Sequence, residues 1–217
     1  MNGPMDAANE TIPQIPLPQD FYARSARSVA QALLGKRLVR LDRGRRIAGI
    51  IVEAEAYCDA EEPDLACHGT ANRGQPTRRT EVMFGPAGFA YVYFTYGMHW
   101  MLNIVTGQVG RPNAVLLRAL EPVEGEDLMA QRRAPRPRKL WTNGPGKLAQ
   151  ALDIDKRLNG HNLFAGNGLL WVEADLQVSS SQVCSGPRVG LGKTPEPWFS
   201  KPWRYWIDDN PYVSGYR

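Results

Sequence analysis

The run Ile50-Ile51-Val52-Glu53-Ala54-Glu55-Ala56-Tyr57 constrains this chain more than any other segment. Its β-branched start and its alternation favour extended backbone. Successive side chains of a strand take opposite faces, so Ile50, Val52, Ala54 and Ala56 are expected on one face, and Ile51, Glu53, Glu55 and Tyr57 on the other. Two carboxylates and an aromatic ring then stand together above a backing of small apolar groups. The glutamates would lie about 6.6 Å apart along the strand, and if both were buried and ionised they would repel. An isolated pair of this kind is most simply two solvated side chains on a strand edge. Tyr57 beside them, with more aromatic residues elsewhere, points instead to a pocket.

The frame around that strand is ordinary. A length of 217 residues allows one sizeable core and argues for one domain. A net charge of +4 is compatible with a polyanionic partner without demanding one. Cys58, Cys67 and Cys184 contain no Cys-x-x-Cys pair, so neither a disulfide scaffold nor a zinc ribbon is expected, and the thiols fit a reducing compartment. Residues 1–16 carry Pro13 and Pro16 and no apolar run, and read as a flexible tail rather than a signal peptide. No stretch approaches the ~18 apolar residues of a membrane span. The expectation is a soluble, intracellular protein that works as a monomer.

A helix is expected from Asp20, with Tyr22, Ala26, Val29, Ala30 and Leu33 on one face and Gly35 closing it. Residues 58–80 read as a long polar loop, unusual in a compact domain unless it serves a purpose. Phe89–Tyr96 and Trp100–Val105 read as a hairpin turning near Gly97, and Asn113–Leu120 as a further strand stopped by Pro122. A short helix is expected over Glu124–Arg132, an exposed basic loop over Arg132–Lys139, and a helix opened by Gly144-Pro145-Gly146. The remainder, from Leu169, mixes short strands with turns. Together these predict an α+β fold: a single domain with a curved, mostly antiparallel sheet flanked by helices, spanning residues 17–217.

The hairpin carries Tyr91-Val92-Tyr93-Phe94-Thr95-Tyr96-Gly97-Met98-His99-Trp100. A Tyr-rich strand is usually just well packed, but large groups at a hairpin tip stand where solvent should be. Such groups suit insertion into something stacked, such as a DNA duplex. His68 and Asn103 add polar groups able to read a flat heterocycle, and either could equally be structural.

Six runs, in order, resemble the alkyladenine (methylpurine) DNA glycosylase family. They are Val52 to Tyr57, Tyr91 to Met98, Leu116-Leu117-Arg118-Ala119-Leu120-Glu121-Pro122, Gly144-Pro145-Gly146-Lys147-Leu148, Pro187-Arg188-Val189-Gly190 and Lys201-Pro202-Trp203-Arg204. The resemblance implies a catalytic carboxylate at Glu55 that activates a water, with Arg118 and the backbone of Val189 as further water contacts. It implies a base pocket of Tyr57, His68, Tyr93 and Asn103, the last crowding the exocyclic amine of normal guanine. It places the intercalating wedge at Tyr96, with Met98 and His99 beside it, although position 99 is often aromatic in the family.

The implied reaction is hydrolysis of the bond between a damaged purine and deoxyribose in double-stranded DNA, after the base is flipped out. An alkylated purine is cationic, so it gains about 0.5–2 kcal/mol between tyrosine rings and leaves readily. Arg118 is expected to lower the pKa of Glu55 and keep it ionised. None of the implied pocket residues is a lysine, so no Schiff base and no strand cleavage are expected, and no metal or other cofactor is required. Phosphate contacts are expected from the Arg73–Arg79 and Arg132–Lys139 loops. Two other readings compete: a carbohydrate hydrolase using Glu53 and Glu55, and a nucleic-acid-binding module that only stacks bases.

Overall fold

The computed structural model describes residues 15–57 and 63–215. In chain order they form α1 (Gln19–Tyr22), α2 (Ala26–Leu33), β1 (Arg37–Asp42), β2 (Arg45–Tyr57), β3 (Ala90–Thr95), β4 (His99–Val105) and β5 (Ala114–Glu124). There follow α3 (Glu126–Arg133), α4 (Pro145–Ala151), β6 (Leu170–Glu173), β7 (Val183–Gly186) and β8 (Arg204–Ile207). Most of the expected tail, residues 1–14, lies outside the described residues, as does Cys58. Pro16 already bridges to Glu173, and Leu17 N–H donates to Val172 O.

The α+β expectation holds. All eight strands join one open sheet in the order β3-β4-β5-β2-β1-β6, with the β7–β8 hairpin attached through β8 to β2, and every registered pair is antiparallel. The 13-residue β2 organises it. One edge pairs with β5 along most of its length; the other pairs first with β1 and then, over Glu53–Glu55, with β8. The sheet therefore forks at the two glutamates.

The expected alternation along β2 needs one correction. The register with β5 shifts on both sides of Glu53, a β-bulge. The extra residue reverses which face comes next. Ile47 and Ile51 point into the main core, and so do Ala54 and Ala56, while Ile50 and Val52 pack on the other face with Ala119, Tyr212 and Val213. Ile51 thus does not share a face with the glutamates.

Two other boundaries differ. The expected helix from Asp20 is two helices, because the chain breaks at Ala23–Ser25 and Ser25 takes over as cap, its Oγ accepting from Ser28 N–H at 3.2 Å. Gly35 does follow the helix with φ of +79°. An isolated eight-residue helix is marginal in water; α2 is held by burying Val29, Ala30 and Leu33 against β2, at about 1.5–3 kcal/mol for each large side chain. Pro122 does not stop β5, which runs on to Glu124. β4 pairs with β5 only over Ala114–Leu116, so near Pro122 the missing N–H leaves no ladder to β4 unfilled.

Among the described residues no helix is long and apolar enough to cross a membrane.

Candidate active site

Where β2, β5 and the β3–β4 hairpin meet, a cleft of about 430 Å³ opens. Tyr57 from β2, Tyr91 and Tyr93 from β3, Asn103 from β4, and Leu116 and Arg118 from β5 line it. His68 and the Val189–Thr194 segment close its sides. β-Structure suits the purpose, because side chains two apart on one strand stand on one face at fixed spacing.

Glu55 is fully buried and lies one layer beneath this surface. Among the described residues, the groups bonded to its carboxylate line the cleft. Val189 N–H donates to Oε1 at 2.6 Å, Tyr57 OH donates to Oε2 at 2.9 Å, and Arg118 Nη1 lies 3.2 Å from Oε1. The expected effect of Arg118 on this carboxyl is only part of the outcome. Burial pushes the Glu55 pKa above the ordinary glutamate value, and Arg118, Val189 N–H and Tyr57 OH oppose that shift without reversing it, while Glu53 adds to it. Glu55 therefore holds a proton more tightly than a solvated glutamate.

Glu53, also fully buried, accepts from Arg118 Nε at 2.9 Å, Arg204 Nη1 at 3.3 Å, Ser214 Oγ at 2.8 Å and Ser214 N–H at 2.7 Å. Both glutamates share Arg118, so they do not face each other across a gap. The sequence did not foretell that Glu53 would be so fully satisfied.

The walls of the cleft differ in make-up. Tyr57 is backed by Arg188, whose guanidinium lies 4.6 Å from the Tyr57 ring centre and 5.0 Å from that of Trp203. Arg188 makes a fully buried pair with Asp64 at 2.5 Å and also donates to Ala56 O and Trp198 O. Opposite, the His68 ring meets Tyr93 edge-on at 4.6 Å, and its Nδ1 lies 3.2 Å from Tyr91 OH. Burial, helped by Arg79, lowers the His68 pKa to about 4, so the ring is neutral at physiological pH. Asn103 is buried, with Nδ2 donating to Tyr91 O at 3.2 Å. Tyr57, His68, Tyr93 and Asn103 all line one cleft. Asp64, Arg188 and Tyr91 were not singled out beforehand, although Arg188 and Tyr91 lie inside runs that carried the resemblance.

At the rim the hairpin tip is bare. Tyr96 is 78% exposed and Met98 67%. Tyr96 has a φ of +51°, a region that non-glycine residues seldom adopt, and Gly97 follows at +66°. His99 stands apart from them: it opens β4 and its ring rests on Gly146 of α4, where a Cβ would come within 2.9 Å of His99 Cγ. That contact explains the glycine after Pro145.

The basic loops are only partly available to a partner. Arg132 pairs with Asp42, Arg133 with the Gln150 carbonyl, and Arg138 with Glu126 and Tyr212. Arg136 and Lys139 stay exposed. In the other loop Arg79 lies over the Tyr93 ring at 4.9 Å, while Arg73 and Arg78 are exposed. Neither Lys147, bound to Asn143 at 2.9 Å, nor Lys201, over the Trp198 ring at 3.7 Å, lines the cleft. Among the described residues no cluster of three or more His, Cys, Asp or Glu side chains could hold a metal ion.

Comparison with known proteins bears on the same residues. The family model for methylpurine-DNA glycosylase (MPG) matches residues 20–211. A protein of Carboxydothermus hydrogenoformans described as "Putative 3-methyladenine DNA glycosylase" is 45% identical over 198 residues, covering 91% of this chain and 98% of that one. Proteins with the same description from Desulfitobacterium hafniense and Methanocella arvoryzae are 43% and 46% identical over 206 and 200 residues, covering 91% of this chain and 98% and 95% of theirs. The match takes in every strand of the sheet and every wall of the cleft, and the chain belongs to the methylpurine-DNA glycosylase family.

Proposed function

We propose that this protein flips an alkylated purine out of duplex DNA, holds it between Tyr57 and the His68–Tyr93 wall, and hydrolyses its glycosidic bond with a water activated by Glu55. Family membership makes it a monofunctional DNA glycosylase, a hydrolase that removes methylated purines in DNA repair. The observation that carries the finer reading is the buried Glu55, whose carboxylate meets Val189 N–H, Tyr57 OH and Arg118, all of which line the cleft.

Extrusion of a base costs a few kcal/mol of lost stacking and pairing. Tyr96, bare at the rim, would fill the gap in the stack and lower that cost. The flipped purine enters the aromatic cleft, where the neutral His68 does not repel a cationic base and can accept or donate one hydrogen bond. Asn103 at the floor would crowd an exocyclic amine. A water reaching Glu55 between Arg118 and Val189 gives its proton to the carboxylate while its oxygen attacks the anomeric carbon. The bond to the purine breaks with its electron pair going to the base, and a cationic base leaves as a neutral molecule. The same carboxylate offsets positive charge developing on the sugar. An abasic site remains.

Glu55→Gln keeps the volume and removes the base. It should slow release of a methylated adenine or hypoxanthine from a duplex oligonucleotide by about 10²–10⁴-fold, with DNA affinity retained. Undiminished release by the variant would refute the mechanism. Excision by the wild-type protein also separates this reading from that of a module that only stacks bases. The carbohydrate-hydrolase reading is disfavoured by geometry: its acid and base must flank the scissile bond, whereas Glu53 and Glu55 are both tied to Arg118.

A further inference from the structure

Arg118 is held from two sides. Its Nε donates to Glu53 at 2.9 Å, its Nη2 lies 3.4 Å from Ser214 Oγ, and its Nη1 lies 3.2 Å from Glu55. A free guanidinium next to a carboxylate settles into a two-pronged pair, the strongest arrangement open to it. Here Glu53 holds the guanidinium by Nε, and Nη2, the nitrogen that would complete such a pair beside Nη1, faces Ser214 Oγ, which is itself bonded to Glu53. We propose that Glu53 is a positioning residue that withholds Arg118 from Glu55, so that Glu55 keeps a lone pair and the basicity to take a proton from water.

This inference rests on Glu55 acting as the base, and it explains why a fold would bury two acids two residues apart. Glu53 is itself fixed by β8 through Arg204 and by the backbone and hydroxyl of Ser214, 161 residues away in sequence. The β-bulge at Glu53 lets this happen, since it sets the carboxylate against β8 and the Ser214 segment while Glu55 keeps its place behind the cleft. Charged or titratable groups around Glu55 are Arg118 from β5, Glu53 and Tyr57 from β2, Tyr93 from β3, Arg204 from β8, and Arg188 beside Val189. Loss of the Glu53 charge acts on Glu55 in one direction only. It removes a like charge and releases Arg118 to pair with Glu55 fully, and both changes lower the affinity of Glu55 for a proton.

The test uses single-turnover excision from a duplex carrying one methylated purine, measured across pH, together with DNA affinity and thermal melting. Glu53→Gln should slow the chemical step by about ten- to a hundredfold, the size of effect that misplacing a catalytic group has, with DNA affinity unchanged. Its acid limb should move to lower pH. Glu53→Asp, which restores charge, should return the limb toward the wild-type position. Ser214→Ala, a milder change, should slow the step severalfold and leave the limb in place. A Glu53→Gln protein with wild-type rate and limb overturns the proposal, as does a loss of rate that only follows the loss of folded protein with the limb unmoved. If Glu53→Gln does not fold, an undiminished rate in Ser214→Ala overturns it instead. Failure of the underlying reading is distinct: Glu55→Gln would then remain active in the same assay.

Discussion

The Tyr57 side of the cleft and the tip of the β3–β4 hairpin are built in opposite ways. Behind Tyr57, Arg188 and Asp64 are both fully buried and make hydrogen bonds to three segments of the chain, and Val189 next to Arg188 reaches Glu55. At the hairpin, Tyr96 and Met98 stand in solvent, and Tyr96 keeps an unfavourable backbone conformation. The chemistry proposed for Glu55 needs atoms fixed to fractions of an ångström. Insertion into a duplex needs exposed apolar surface that a folded protein otherwise hides. One small fold meets both of these proposed demands, with the first on β2 and the second on a turn.

Breaking the buried side should have the largest effect. Asp64→Asn leaves Arg188 charged and unpaired in the interior, which should destabilise the protein by about 3–5 kcal/mol, read by denaturant unfolding. A change below about 1 kcal/mol would mean that water or another group replaces Asp64. Acid should act on the facing wall of the cleft through His68. Its folded pKa of about 4 lies below the ~6.5 of an unfolded histidine, so its contribution is complete above 6.5 and is lost as pH falls toward 4. Wild-type protein should lose up to about 3 kcal/mol relative to His68→Gln across that window; parallel stability curves would show that His68 does not titrate as described. The tip should behave otherwise. Tyr96→Ser should leave stability within about 0.5 kcal/mol. It should weaken excision from duplex by a stacking increment of about 1–3 kcal/mol, and much less from single strands. Equal losses on both substrates would remove the wedge role.

What the sequence disclosed follows the range of the interactions involved. The β2 pattern, the hairpin turn at Gly97 and the helix after Gly144-Pro145-Gly146 depend on neighbours in the chain, and all three stand in the structure. The bulge at Glu53 depends on how β5 pairs with β2, so alternation within β2 could not reveal it. The passage of β5 beyond Pro122 depends on where β4 ends. Asp64 and Arg188 are 124 residues apart, and nothing local to either marks them as partners. The basic run Arg132–Lys139 looked uniform, yet Asp42 and Glu126 claim two of its arginines. The family resemblance supplied a role for Glu55, but its burial, which lifts its pKa despite Arg118, became visible only once the chain was folded.

Ser214 bonds to a carboxylate on β2, 161 residues before it in the chain. During synthesis, the hydrogen bonds that fix Glu53 therefore cannot be complete until this late serine has left the ribosome. A chain that stops before Ser214 would lack both bonds and leave part of a buried carboxylate without its donors.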